Sequence, residues 1–301
     1  MEGGNTMRTK DTAPLTIKRQ KRSFARIKYN ISSWVLTVLM FAIAIAMLAP
    51  IYYVVVSTFK NAQEVTFDPM ALPKQWDFSR YKDAWEQMDY LKSLGNTLKI
   101  AIPTVLFSTL FSTAAAYAIV RCPNRVNRAI YWLFLSGMMI PGNVSLISLY
   151  RLMLDMQLNN THFGLILLGC GGVGMMTLFM LRNFLNSPDI IEVEQAAELD
   201  GCSILQRFFR IVIPLVKPIL ATNMIINLMG VWNDYLTPSL FLSDPDKYTL
   251  MIAVYQNVGQ FSTDWLTMFN MLVLALLPLT IIYIFLQKHI IAGVTAGAVK
   301  G

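Results

Sequence analysis

The chain predicts an all-α polytopic membrane protein with six transmembrane helices. Hydrophobic residues make up 55% of its 301 residues and charged residues only 14%, whereas a soluble domain carries about a quarter charged residues. Six apolar runs stand out, several of them near the roughly 20 residues needed to cross about 30 Å of hydrocarbon. Basic residues gather in the short segments flanking alternate runs, the pattern of a cytoplasmic membrane face.

Residues 1–30 form a polar arm with Arg8, Lys10, Lys18, Arg19, Lys21, Arg22, Arg26 and Lys28. The run at 31–56 is too long for a signal-peptide core and has no clear small-residue cleavage site, so it reads as an uncleaved first span. Pro50 lies near its far end. A mixed-charge stretch to Asn96 carries the turn signals Asp68-Pro69 and Leu72-Pro73 and the aromatics Trp76, Tyr81, Trp85 and Tyr90. The remaining spans are expected at about 97–120, 129–149, 164–181, 218–232 and 267–286, the third interrupted by Pro141-Gly142.

Orientation follows from the short loops. Arg121, Arg125 and Arg128 separate spans two and three, and Arg182, Arg207, Arg210 and Lys217 separate four and five. These loops and the amino-terminal arm are assigned to the cytoplasm. The loop between three and four has only Arg151. The external loop 233–265 has Lys247 against Asp234, Asp244, Asp246 and Asp264. Six spans then leave both termini inside, with residues 287–301 as a cytoplasmic tail.

The net charge of +7 reads as a membrane face, since no nucleic-acid-binding signature accompanies it. Cys122, Cys170 and Cys202 are not at metal spacing, and His162 and His289 are the only histidines. A disulfide framework and a metal centre are therefore not expected. No internal repeat is evident.

The segment 187–214 carries the mechanism. Ser187 is placed to cap a helix with Pro188 at its first position and Asp189 in its first turn. Asp200-Gly201 should end that helix, because glycine permits a left-handed turn. Ser203 should cap a second helix through Ile213, after which Pro214 and Pro218 redirect the chain into span five. Ala196 and Ala197 allow close approach of a partner, and Phe208 and Phe209 are placed to anchor the second helix.

This segment resembles the EAA loop of binding-protein-dependent ABC importers. The pattern stands as Gln195-Ala196-Ala197, Gly201, nine residues, then Ile211-Val212-Ile213-Pro214. Gln195 occupies the glutamate position, with Glu194 adjacent, and Ile213 the leucine position. Ala115-Ala116-Tyr117-Ala118 with Arg121, Met139-Ile140-Pro141, Asn160 to Ile166, Trp232-Asn233-Asp234-Tyr235, Lys247-Tyr248-Thr249-Leu250 and Thr295 to Gly301 extend the likeness over residues 31–301. Together they are similar to the maltose-type second permease of the carbohydrate-uptake class.

The resemblance implies a permease subunit in a bacterial cytoplasmic membrane, forming half of a carbohydrate pathway, with an oligosaccharide as the expected substrate class. Its implied partners are a second homologous permease, a cytoplasmic ATPase dimer and an extracytoplasmic solute-binding protein. Glu194, Gln195, Ala196, Ala197, Asp200, Gly201, Ile211 and Pro214 would contact the ATPase as a coupling helix, and Lys300 and Gly301 would reach between its subunits. The loop 233–264 would enter the binding protein. ATP and magnesium would belong to the ATPase, because this chain has no Gly-x-x-x-x-Gly-Lys-Ser/Thr phosphate loop. No cofactor is expected on this chain.

Gly169-Cys170-Gly171-Gly172-Val173-Gly174 has no following lysine and reads as close helix packing. Asn143, Asn223 and Asn227 are the polar candidates for the pathway, with interhelical hydrogen bonding as their ordinary role. An ion-coupled carrier or channel is the alternative class. It needs ionisable groups inside the spans, and the predicted spans hold only Lys99. An intramembrane enzyme would need a nucleophile–base pair or metal cluster, and neither is visible.

Overall fold

The computed structural model describes residues 31–256 and 264–298; the side chains of 31–33, 143, 173 and 288–298 are outside that description. The amino-terminal arm, residues 257–263 and the terminal Lys300 and Gly301 therefore lie outside the described residues. The chain divides into two compact units, Met1–Ile51 and Tyr52–Gly301. The described part of the first is helix α1 (Ile31–Ser57) as far as Ile51, an apolar helix with Pro50 inside it.

All regular elements among the described residues of the second unit are helices. The mixed-charge stretch after the first span contains α2 (Ala62–Phe67) and α3 (Ser79–Gln87). Next come α4 (Tyr90–Arg121), α5 (Arg125–Met138), α6 (Leu146–Asp155), α7 (His162–Leu185) and α8 (Pro188–Leu199). They are followed by α9 (Ile204–Arg207), α10 (Ile213–Asn233), α11 (Leu236–Phe241), α12 (Leu250–Gln256) and α13 (Trp265–Ala298).

Among the described residues five segments are long and apolar enough to cross a membrane: Trp34–Ser57, Tyr90–Arg121, His162–Leu185, Ile204–Asn233 and Trp265–Gln287. The remaining run, the third, expected at 129–149, is not one helix. α5 stops at Met138, a 3-10 turn occupies Gly142–Ser145, and α6 begins at Leu146. Pro141 disfavours helix at Ile140 and has no N–H to give, so the helix ends before it. α13 runs without a break to Ala298.

The long helices pack through small and hydroxylated residues. α4 lies along α7, and α10 touches α4, α7 and α13. The buried face of α4 includes Ser93, Thr97, Thr104, Ser108, Ser112 and Thr113. Several of these hydroxyls return to their own helix, as Thr97 to the Ser93 carbonyl (2.8 Å) and Thr113 to that of Thr109 (2.6 Å). Part of the polar stripe is thus satisfied within its own helix while the backbones approach closely, although the Thr104 and Thr109 hydroxyls are buried without a hydrogen-bond partner among the described residues. A Cβ on Gly169 would meet Thr104, and one on Gly174 would meet Ser112. The glycine run therefore serves α4–α7 packing at these two positions.

The two ends of the unit have separate cores. One joins Ala84 and Met88 to Tyr90, Trp232, Leu250, Met271 and Ala275. There Trp232 Nε1 donates to the Ala275 carbonyl (3.1 Å) and the Tyr90 hydroxyl to that of Leu274 (3.1 Å). The other gathers Tyr117, Tyr131, Leu181, Leu185, Ile190, Phe208, Val212 and Val216. It is this second core that seats α8 and the Phe208–Val212 turn against the spans.

Candidate functional site

The segment 187–214 begins as the sequence predicts. Ser187 has extended N-cap geometry with Pro188 in the first turn, yet its hydroxyl makes no capping bond. α8 closes through Cys202 N–H to the Ala197 carbonyl (3.0 Å), with Gly201 at φ +81°. That is the left-handed turn a helix end of this kind requires. Ser203 then starts α9 with a complete capping box: Gln206 N–H to Ser203 Oγ (3.3 Å) and Ser203 N–H to Gln206 Oε1 (2.8 Å). Across the bend, Arg207 and Glu198 form an ion pair at 2.7 Å.

The expected break at Pro214 does not occur. α9 passes through a π-helical turn, Phe208–Val212, directly into α10. The Ile213 N–H reaches back five residues to the Phe208 carbonyl. An α-helical Pro214 would crowd the carbonyl four residues earlier and leave it without a donor. A wider turn at this point lets the helix continue.

Burial divides the predicted contact residues into two faces. Ile190, Glu194 and Ala197, spaced to share one side of a helix, are buried toward the spans. Gln195, Ala196, Asp200 and Gly201 are exposed. Beside them Leu199 is 89% exposed, and Leu205 and Phe209 are also exposed. Phe208 is buried with its ring 5.2 Å from that of Tyr117, so it alone of the two phenylalanines anchors the second element. Ile211 is half-buried and Pro214 exposed.

Glu194 was grouped with the partner-facing residues in the sequence, but its side chain points the other way. It is 3% exposed and pairs with Arg121 at the end of α4. Arg121 also donates to the Leu185 carbonyl at the end of α7 (2.9 Å). The exposed Gln195 leaves this buried charge pair intact. Sequence reading placed Arg121 in a topology loop, and no short-range pattern links it to a residue 73 positions away. The one available signal was the spacing of Glu194 with Ile190 and Ala197.

Asn223 and Asn227 lie one turn apart on α10. Asn223 is 2% exposed and donates to the Ile219 carbonyl of its own helix (3.1 Å). Asn227 donates to Thr177 Oγ1 on α7 (3.1 Å). The Asn143 side chain lies outside the described residues.

At the end opposite α8, the loop after α10 is fastened down. Asn160, at φ +56°, accepts from the Ser243 and Asp244 N–H groups (3.1 Å each), and its carbonyl accepts from Lys247 Nζ (3.0 Å). Asn96 Nδ2 donates to the Asp246 and Tyr248 carbonyls (2.9 and 3.1 Å), and Leu250 N–H donates to Thr97 Oγ1 (2.9 Å). The Asp246 N–H, donated to its carboxylate, and Lys247 beside it hold Asp244 below the usual carboxylate range.

Fold and site together define a multi-span membrane subunit that presents a solvent-facing pair of bent helices at one end. The chain belongs to the family of binding-protein-dependent transport system inner membrane components, whose pattern matches residues 108–296. It is 33% identical over 267 residues to the melibiose/raffinose/stachyose import permease protein MelC of Bacillus subtilis, covering 89% of this chain and 96% of that one. It is 28% identical to the probable starch degradation products transport system permease protein AmyC of Thermoanaerobacterium thermosulfurigenes, covering 91% and 99%. The multiple sugar-binding transport system permease protein MsmG of Streptococcus mutans is 33% identical, covering 85% and 93%. A crystal structure of a bacterial ABC transporter involved in the import of the acidic polysaccharide alginate contains a chain of the same fold. That chain has a TM-score of 0.74 and 24% identity, covering 88% of this chain and 98% of its own.

Proposed function

We propose that this chain is one of two permease subunits of a carbohydrate ABC importer, with an oligosaccharide as substrate, in a bacterial cytoplasmic membrane. The observation that carries the reading is the exposed surface of α8 and α9 around Gly201, made of Gln195, Ala196, Leu199, Asp200, Leu205 and Phe209. Exposed apolar residues grouped at a bend suit a protein partner, and their inner faces are anchored in a core shared with the spans. In this reading a separate cytoplasmic ATPase dimer holds that surface and supplies ATP and magnesium chemistry. A second permease completes the pathway, and an extracytoplasmic binding protein delivers sugar to the end bearing Asn160 and Asp244.

The topology in this reading has six crossings, with α5, the Gly142–Ser145 turn and α6 as an interrupted third, and both termini in the cytoplasm. The arginines at 121, 125, 128, 182, 207 and 210 then share one side. The test is reconstitution of this chain with the second permease, ATPase and binding protein encoded beside it. ATP-dependent uptake of radiolabelled raffinose, melibiose or diacetylchitobiose by the complex, and none by this chain alone, is expected. Uptake by the chain alone without ATP would instead establish the ion-coupled carrier.

A further inference from the structure

α8 is joined to its neighbours by short connections, Asn186-Ser187 on one side and Asp200 to Ser203 on the other. Two kinds of contact set its angle to the spans. Ile190 lies in the apolar core, and apolar contact is not directional. The Glu194–Arg121 pair is directional, because a guanidinium presents a rigid planar fork of donors. Arg121 is the last residue of α4, and the same guanidinium holds the Leu185 carbonyl that ends α7. One side chain therefore joins three elements.

The pair is a poor device for stability alone. Glu194 Oε1 is buried without a hydrogen-bond partner among the described residues, and a buried ion pair with an unmet oxygen returns little of its desolvation cost. Its placement is more informative. α4 is one helix, with Pro103 inside it, from Arg121 to the opposite end, where Asn96 and Thr97 grip the Asp246–Leu250 stretch. The 121 − 96 = 25 residue steps between those grips span about 38 Å of helix.

We propose that Arg121 and Glu194 are positioning residues forming the joint that transmits movement of α8 to α4, and along α4 to the loop at the far end. This rests on the permease reading above and names the path by which its coupling travels. Apolar packing alone would let α8 slide over the spans; the fork makes a push on α8 a displacement of α4.

The test uses the full complex with the double variant Arg121→Gln/Glu194→Gln and with Arg121→Lys. Readouts are ATPase co-purification, melting temperature, and raffinose uptake per ATP hydrolysed, or the other panel sugar that wild type takes up. The double variant, which leaves no buried charge unpaired, should retain the ATPase and a near-wild-type melting temperature while uptake per ATP falls about fivefold or more. Arg121→Lys keeps the charge without the fork and should fall in between. Wild-type uptake per ATP in the double variant would overturn the joint. So would uptake and melting temperature falling together, which marks a purely structural pair. Failure of the wild-type complex to transport with ATP would instead remove the permease reading.

Discussion

Gly169 on α7 and Thr104 on α4 meet with no room for a side chain between them: a Cβ on Gly169 would stand 2.5 Å from Thr104 Cγ2. Threonine is β-branched and cannot easily turn that methyl away. Gly169→Ala should therefore destabilise the detergent-solubilised chain by about 1–3 kcal/mol, seen as a lower melting temperature. Gly174→Ala should cost less, because the atom it meets is the rotatable Ser112 hydroxyl. Gly171→Ala and Gly172→Ala, which meet nothing within 4 Å, should leave the melting temperature unchanged.

Asn160 unites a left-handed backbone with two accepted N–H bonds from Ser243 and Asp244. Asn160→Ala removes both bonds, each worth about 1 kcal/mol, and adds left-handed strain. Amide exchange at Ser243 and Asp244 should quicken. Asn160→Gly restores backbone freedom but not the acceptor, so exchange there should still exceed wild type.

The Asn227–Thr177 bond crosses from α10 to α7, and Thr177 is fully buried. Asn227→Ala should lower stability by about 1 kcal/mol and leave the KM for the transported sugar near the wild-type value. A large rise in KM with unchanged melting would place Asn227 on the sugar pathway instead.

Gly201 holds φ +81° with open space around its Cβ position. Gly201→Ala should then cost only backbone strain, about 1–2 kcal/mol, in the isolated chain. Gly201→Asp, which adds bulk and charge to the exposed bend, should leave span assembly near normal and abolish substrate-driven ATP hydrolysis. Unchanged transport in that variant would detach the bend from coupling.

The long helices were legible because an apolar run near 20 residues has few alternatives to a span. The bend was legible because Pro188, Gly201 and Ser203 each have a positional meaning. α2 and α3 were not, being short, polar and held by contacts beyond their own turns, such as the Tyr81 hydroxyl to Thr58 Oγ1 (2.9 Å). Pro214 misled because a proline normally ends or kinks a helix, and the compensating π-turn leaves no sequence signature of its own. The pairing of Arg121 with Glu194 depends on how α4 and α8 meet, which local spacing does not encode.

The central claim is that the outer face of α8 docks the ATPase while its inner face grips the spans. Photo-crosslinking from single cysteines tests it most directly, with Cys122, Cys170 and Cys202 first replaced by serine. A benzophenone probe at Ala196→Cys should label the ATPase in the assembled complex, and one at Ala197→Cys, one residue on and 8% exposed, should not. Labelling of the ATPase from position 197 but not 196, or from neither, would contradict the account.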